Sequence, residues 1–245
     1  MLWDGAFFHT STERRDSPRA LRPTACPFQR GIAMIIAVYG ASSRLGHQFI
    51  GVAAAAGHAL RLHYRAKPAE QVPENATVIV GSLADPTAVR EVLRGADAAL
   101  MLLGHKQDAR VPYIAAATKL VVSTMKTLDQ SRLLVVTGAM VGESAGNMGL
   151  TMKLKNLFAR RSAHDGMMED RDEQERLIRA SQLEGWTVVK PGTLTDTPAT
   201  DHVQVDRTLS MGVGSQVSRA TLARVLLQEI EQPRFMQQAV YVAER

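Results

Sequence analysis

The sequence predicts an α/β fold: a doubly wound parallel sheet with helices on both faces, built as a single domain. Three observations predict it. Apolar runs of strand length alternate with helix-length stretches along most of the chain. The first such run closes on a glycine-bearing turn that opens onto a helix. Finally, 245 residues with 45% apolar content can bury one core without disulfide staples.

The periodic pattern begins abruptly at Met34. Residues 1–33 carry Arg14, Arg15, Arg19, Arg22 and Arg30 and show no sustained period. They are expected to be a disordered N-terminal extension, or the product of an upstream start codon, ahead of a domain at 34–245 with a small C-terminal substrate region. The continuous apolar stretch of about 7 to 15 residues that a secretory signal needs is missing, and Asp4, Glu13 and Asp16 argue against a mitochondrial presequence.

Within the domain, Ile35–Tyr39 is an apolar run ended by Gly40, as expected of a strand buried on both faces. Leu45, Phe49, Ile50 and Val52 to Ala56 supply the first helix, with Gly57 suited to the left-handed residue that ends it. Further strands are expected near 59–64, 76–80, 97–103, 132–137 and 186–190, and helices near 86–94, 112–127 and 166–183. In the last of these helices Glu169, Asp170, Asp172 and Glu173 come early and Arg176 and Arg179 late, which complements the helix dipole. Its charges are expected to form a solvated face. Ser218 should cap a helix with an apolar stripe from Ala220 to Ile230, and Ala239–Ala243 should close the sheet as an edge strand.

Charge and composition narrow the function classes. Twenty-nine basic and 24 acidic residues leave a net charge of +5, a weak basis for nucleic-acid binding. No apolar run approaches the roughly 18 to 20 residues that cross a bilayer. The single cysteine, Cys26, excludes an internal disulfide framework and points to a reducing, cytoplasmic compartment. No metal site is expected, because no His, Cys, Asp or Glu cluster has ligand spacing. Expected partners are therefore a small-molecule acceptor, with neither nucleic acid nor membrane, and a protein partner if the role is regulatory.

The turn Gly40-Ala41-Ser42-Ser43-Arg44-Leu45-Gly46 stands between the first strand and the first helix. Small residues there let a diphosphate approach backbone N–H groups at a helix N-terminus, as in a Rossmann-like dinucleotide site. It is not a strict G-x-G-x-x-G, so its position carries the argument more than its pattern. At the end of the second strand, where an acid would select NAD, the chain reads His63-Tyr64-Arg65-Ala66-Lys67. Arg65, aided by Arg44, suits a 2′-phosphate instead, so NADP (NADPH) is expected over NAD.

These residues, together with Gly81-Ser82-Leu83-Ala84-Asp85, Gly95-Ala96-Asp97-Ala98, Leu103-Gly104 and Trp186-Thr187-Val188-Val189-Lys190-Pro191-Gly192, resemble the atypical short-chain dehydrogenases. The likeness is to the NAD(P)H-binding, NmrA-like group, nearest to its flavin reductase and biliverdin-IXβ reductase type, and spans about residues 34–245. It implies that Gly40, Ser42, Ser43, Arg44 and Leu45 line the phosphates, Arg65 meets the adenosine phosphate, and Ser82 with Leu83 flank the adenine. Leu103, Gly104, Thr137, Pro191, Gly192 and Thr193 match positions that border the ribose and nicotinamide. Two departures are visible: Ser82 replaces a usual aspartate, and Ser43 replaces a usual glycine.

Ordinary dehydrogenases of this superfamily pair a tyrosine with a lysine four residues on, which lowers the phenol's pKa for proton transfer. None of Tyr39, Tyr64, Tyr113 or Tyr241 has that lysine. The resemblance implies direct hydride transfer to a flat conjugated acceptor such as a flavin, quinone or tetrapyrrole, with the protein chiefly positioning two planar groups. The alternative is a non-catalytic NADP(H)-sensing regulator. Thr137 and Thr193 are the candidate proton donors, with solvent as the other source. Gly138 falls where the reductases tend to carry serine, and Thr193 where some carry histidine. Lys153 and Lys155 are read as surface loop residues, His105 as a loop histidine near the pocket, and the methionines at 140, 148, 152, 167 and 168 as gap-filling core or a pocket wall.

Overall fold

The computed structural model describes residues 32–104, 112–144, 146–162 and 166–245. Within Ile32–Arg245, β1 (Ile35–Tyr39), α1 (Arg44–Ala55), β2 (Ala59–Tyr64), β3 (Ala76–Val80), α2 (Pro86–Leu93), β4 (Ala98–Met101), α3 (Ile114–Thr127) and β5 (Arg132–Val136) follow in order. Then come α4 (Leu150–Ser162), α5 (Met167–Arg179), β6 (Gly185–Pro191), β7 (Thr193–Thr195), β8 (Val203–Asp206), β9 (Gln216–Ser218), α6 (Arg219–Glu231) and β10 (Gln238–Glu244). The main sheet runs β3-β2-β1-β4-β5-β6-β10-β8, parallel except for the antiparallel β10–β8 pair. The chain reverses its direction of winding between β1 and β4, so the crevice at their carboxyl ends is where such sheets bind ligands.

Strand alternation builds the two helix layers. In β1, Ile36 and Val38 join a core with Phe49 of α1 and Leu222 and Leu226 of α6. Ala37 and Tyr39 point to the other face and join Val89 of α2, Val121 of α3 and Ile178 of α5. The sheet is thus covered on both sides by one continuous chain, as a doubly wound fold requires. No described helix is long and apolar enough to cross a membrane.

Three expectations are corrected, and the alternative left open for Met148 and Met152 is decided. Ala239–Ala243 lies inside β10, which is not an edge: β8, too short and polar to read as a strand, pairs outside it. Lys153 and Lys155 belong to α4, not to a loop. Met148 and Met152 are buried with Met211 and Tyr241 in a small third cluster, so they are core. The charges of α5 do not all form a solvated face. Asp170 and Glu175 are buried, because α5 packs along α3. The Asp170 carboxylate accepts from the amides of Tyr113, Ile114 and Ala115 at 3.1, 2.8 and 2.9 Å, and so caps α3 from a neighbouring helix. Expectations for residues 1–31, Cys26 included, and for His105 lie outside the described residues.

Candidate functional site

The chain leaves β1 through Gly40 at φ +89°, where a Cβ would stand 2.6 Å from the Leu102 carbonyl oxygen. A Cβ on Gly46 would stand 2.4 Å from the Gly40 oxygen, so both positions need glycine for the strand and helix to approach. Ser43 is the N-cap of α1, its Oγ accepting from the Gly46 amide at 2.9 Å. The first-turn amides of Arg44 and Leu45 find no acceptor among the described residues. Two orphan donors at the positive end of a helix dipole are the chemistry a diphosphate needs.

A cavity of about 390 Å³ starts at this turn and follows the carboxyl ends of the strands. Gly40, Ser42, Ser43, Arg44 and Leu45 form its first wall, and Arg65 and Leu83 stand at the ends of β2 and β3. Leu103, Gly104 and Thr137 border it beyond β4 and β5. Five of the residues singled out in the sequence do not line it; one is Gly192, whose amide donates to the Val242 carbonyl at 2.9 Å. Gly46 is buried beneath the turn. Ser82 is exposed, and its Oγ accepts from the Ala84 amide. Pro191 is buried as the last residue of β6, and Thr193 is exposed at the start of β7 with its amide tied to the Ser215 carbonyl. Leu194 reaches the cavity in its place.

The arginines divide differently from the sequence expectation. Arg65 is exposed at the cavity wall with no ion-pair partner among the described residues. Arg44 instead holds Asp196 at 2.6 Å, and Arg219, also a lining residue, holds the other oxygen of that carboxylate at 2.6 Å. Beside Arg65, His63 is 4% exposed and its Nε2 finds no partner in the protein. Burial lowers its pKa below the ordinary value of 6.5, and the charge of Arg65 acts in the same direction, so a neutral imidazole faces the cavity at neutral pH. The end of β2 thus offers the cavity a cation with no ion-pair partner among the described residues and a ring nitrogen without a hydrogen-bond partner.

At the other end, Arg171 of α5 reaches over the ends of β4 and β5. Its guanidinium donates to the carbonyls of Leu103 and Val136 and to the Gln174 side chain. Thr137 donates its hydroxyl proton to Glu175 Oε1 at 2.7 Å. Glu175 in turn pairs with Lys190 Nζ at 2.8 Å, both side chains being essentially inaccessible. Lys190 also donates to the Val141 carbonyl at 2.6 Å and to Ser144 Oγ at 2.7 Å. Burial lifts the Glu175 pKa and depresses that of Lys190, against the attraction of each for the other. A hydroxyl has one proton, so Thr137 turns lone pairs toward the cavity while Glu175 is ionised.

His63, Leu102, Tyr113, Val136, Arg171, Leu194 and Arg219 are the lining residues not picked out as site residues from the sequence. His63 was readable only as a strand residue, and Arg171 only as one charge among many on α5. Arg171 stands in no motif, because α5 brings it to the cavity from a distant part of the chain, and His63 opens the segment read for Arg65 without a role of its own.

Solved structures repeat this architecture. ChuY, an anaerobilin reductase from Escherichia coli O157:H7, is 20% identical with a TM-score of 0.68, over 86% of this chain and 97% of that one. A short-chain dehydrogenase/reductase from Veillonella parvula DSM 2008 in complex with NADP is 14% identical with a TM-score of 0.69, over 86% and 94%. A provisional NADH-flavin reductase from Streptococcus pneumoniae TIGR4 is 20% identical with a TM-score of 0.70, over 87% and 100%. At such identities the likeness concerns the fold. No curated protein matches the chain. The model of the NAD(P)H-binding family matches residues 40–233, from the glycine of the first turn to the end of the last helix. The chain therefore belongs to the NAD(P)H-binding family, and its sheet order is that of a doubly wound, Rossmann-like fold.

Proposed function

We propose that the protein is an NADPH-dependent oxidoreductase that passes hydride to a flat conjugated acceptor of the flavin, quinone or tetrapyrrole kind. One observation carries the reading: a single cavity joins the orphan amides of α1 and the unpaired Arg65 at one end to Thr137 and Arg171 at the other. In this reading the Arg44 and Leu45 amides hold the diphosphate, Arg65 holds the 2′-phosphate, and Leu83 packs on the adenine. Bound NADPH would supply the hydride. Thr137 and Arg171 border the space left for the acceptor, where they position a planar ring. Thr193 is not part of this proposal, because it stands outside the cavity, and the proton of Thr137 is engaged by Glu175. Solvent then supplies the proton that accompanies the hydride. The reductase neighbours and the NADP complex support the reading by analogy of fold.

The test is NADPH oxidation with a panel of flavins, quinones and linear tetrapyrroles, repeated with NADH and with Arg65→Asp. A charge-assisted phosphate contact is worth about 1.5–3 kcal/mol, so Arg65→Asp should weaken NADPH relative to NADH by about 10- to 150-fold. An unchanged preference would overturn the role of Arg65. The engaged Thr137 hydroxyl specifically favours a second reading, an NADP(H)-sensing regulator. Tight NADPH binding with no turnover on any acceptor, together with recovery of a stable protein partner, would establish that reading instead.

A further inference from the structure

Helix α4 turns an apolar stripe to solvent. Leu150, Leu154, Leu157 and Phe158 are 84%, 54%, 48% and 60% exposed. They stand at i, i+4, i+7 and i+8, one above another on a single face. Lys153 and Lys155 are exposed as well, and at about 100° per residue they fall on the two flanks of that stripe. Arg161 continues it at the carboxyl end. The thirteen residues of the helix contain four basic side chains and no acidic one.

The helix cannot hide this face by rolling over. Its opposite side is fixed by Met152, 8% exposed in the cluster with Met148, Met211 and Tyr241, and by Arg160, which holds Asp172 at 2.6 Å and the Met140 carbonyl at 3.2 Å. Its amino end is fastened too, the Gly149 amide donating to the Met211 carbonyl at 3.0 Å. Two residues beyond Met211, Val213 is 49% exposed. Apolar exposure therefore extends from the helix to the loop tied to its start.

We infer that α4 is a membrane-surface docking helix whose occupant is the headgroup and upper acyl region of an anionic lipid bilayer. An apolar stripe flanked by lysines is the arrangement that lies in such an interface: the apolar side chains enter, and the long basic ones reach back to the phosphates. Charge decides against a second copy of the chain, since two such helices face to face would oppose six cations, Lys153, Lys155 and Arg161 of each, with no acidic residue on either helix. Area decides the same way. One face of a thirteen-residue helix offers well under the roughly 800 Å² per partner of a stable protein interface. The expectation of no membrane partner rested on the lack of a spanning run, and a helix lying on the surface needs none.

The full chain should co-sediment with vesicles of equal parts phosphatidylcholine and phosphatidylglycerol at low salt. Binding should fall on pure phosphatidylcholine and at high salt. L154E with F158E should reduce partitioning about tenfold or more with the thermal unfolding transition unchanged, because both side chains already face water. A Leu157→Trp probe should shift its fluorescence to the blue on adding the anionic vesicles. Binding that survives L154E/F158E would belong to the arginine-rich residues 1–33 and would overturn the inference, as would no binding to anionic vesicles. So would a concentration-dependent dimer that the same two substitutions abolish, which would give the face to a second copy.

Discussion

Replacing Glu175 by alanine tests whether the buried network behind Thr137 is a true ion pair. The substitution leaves the Lys190 ammonium at 0% exposure with the Val141 carbonyl and Ser144 Oγ as hydrogen-bond acceptors and the Tyr241 ring 5.6 Å away, but no anion in contact. An unpaired buried charge costs about 3–5 kcal/mol. Against a total stability of about 5–15 kcal/mol, that is a large share. With a urea slope of about 2–3 kcal/mol/M, the unfolding midpoint should fall by about 1–2 M. Removing both charges, as Glu175→Gln with Lys190→Met, should recover most of the loss, because the pair's attraction is largely offset by the desolvation of two ions.

The pH dependence carries the sign. Burial holds the folded-state pKa of Lys190 below the ordinary value of 10.5. A lysine depressed in the folded state binds fewer protons there than in the unfolded chain, so stability rises as pH climbs from the folded value toward the unfolded one. Without Glu175 to oppose this, the deficit of Glu175→Ala should shrink as pH rises toward the ordinary lysine value of 10.5. Circular dichroism during urea titration at several pH values measures all of this. A Glu175→Ala cost under about 1 kcal/mol, or a double variant no more stable than the single one, would refute the reasoning.

The remaining predictions follow from single contacts. Asp170→Ala removes the acceptor for three amides at the start of α3 and should cost about 1–2 kcal/mol, lowering Tm by about 2–8 °C in calorimetry. Asp196→Ala frees Arg44 and Arg219 at the cavity mouth and removes a nearby anion. It should tighten NADPH binding severalfold in low-salt titration calorimetry while changing stability by about 1 kcal/mol or less, since the carboxylate is 60% exposed. Burial opposes ionisation of Asp172, but the Arg160 guanidinium and the Gly142 amide overcome it and hold its pKa below the ordinary 3.8. Its stabilisation is therefore present above that ordinary value and lost as pH falls through the depressed one, so Asp172→Asn should flatten the acid limb of a pH–stability curve. Gly142 sits at φ +60° with the Glu175 carboxylate 1.9 Å from where a Cβ would be, so Gly142→Ala should disturb the same network and lower Tm.

The sheet and its first turn are legible in the sequence because the physics there is local. Each of β1, β4 and β5 carries a mostly apolar run, β2 alternates apolar with polar residues, and Gly40 and Gly46 are required by backbone approach alone. What was not legible depends on tertiary packing. Strands β7 to β9 have three or four residues and partly exposed side chains, so no period of two can emerge from them. Helix α4 carries its apolar period on the solvent side, which decouples the pattern from burial. In α5 the stripe facing the protein is Asp170, Gln174, Glu175 and Ile178. Its helical spacing is regular, but three of its four members are polar, so a search for apolar periodicity reads it as a solvated face. One signal in the sequence did point to the network: Lys190 ends the otherwise apolar strand run Trp186-Thr187-Val188-Val189. A lysine facing a covered side of a parallel sheet needs an anion from the helix packed there, and α5 is the helix on that side. The candidates were therefore the acids of α5, and the one with helical phase toward the sheet, alongside Ile178, was Glu175.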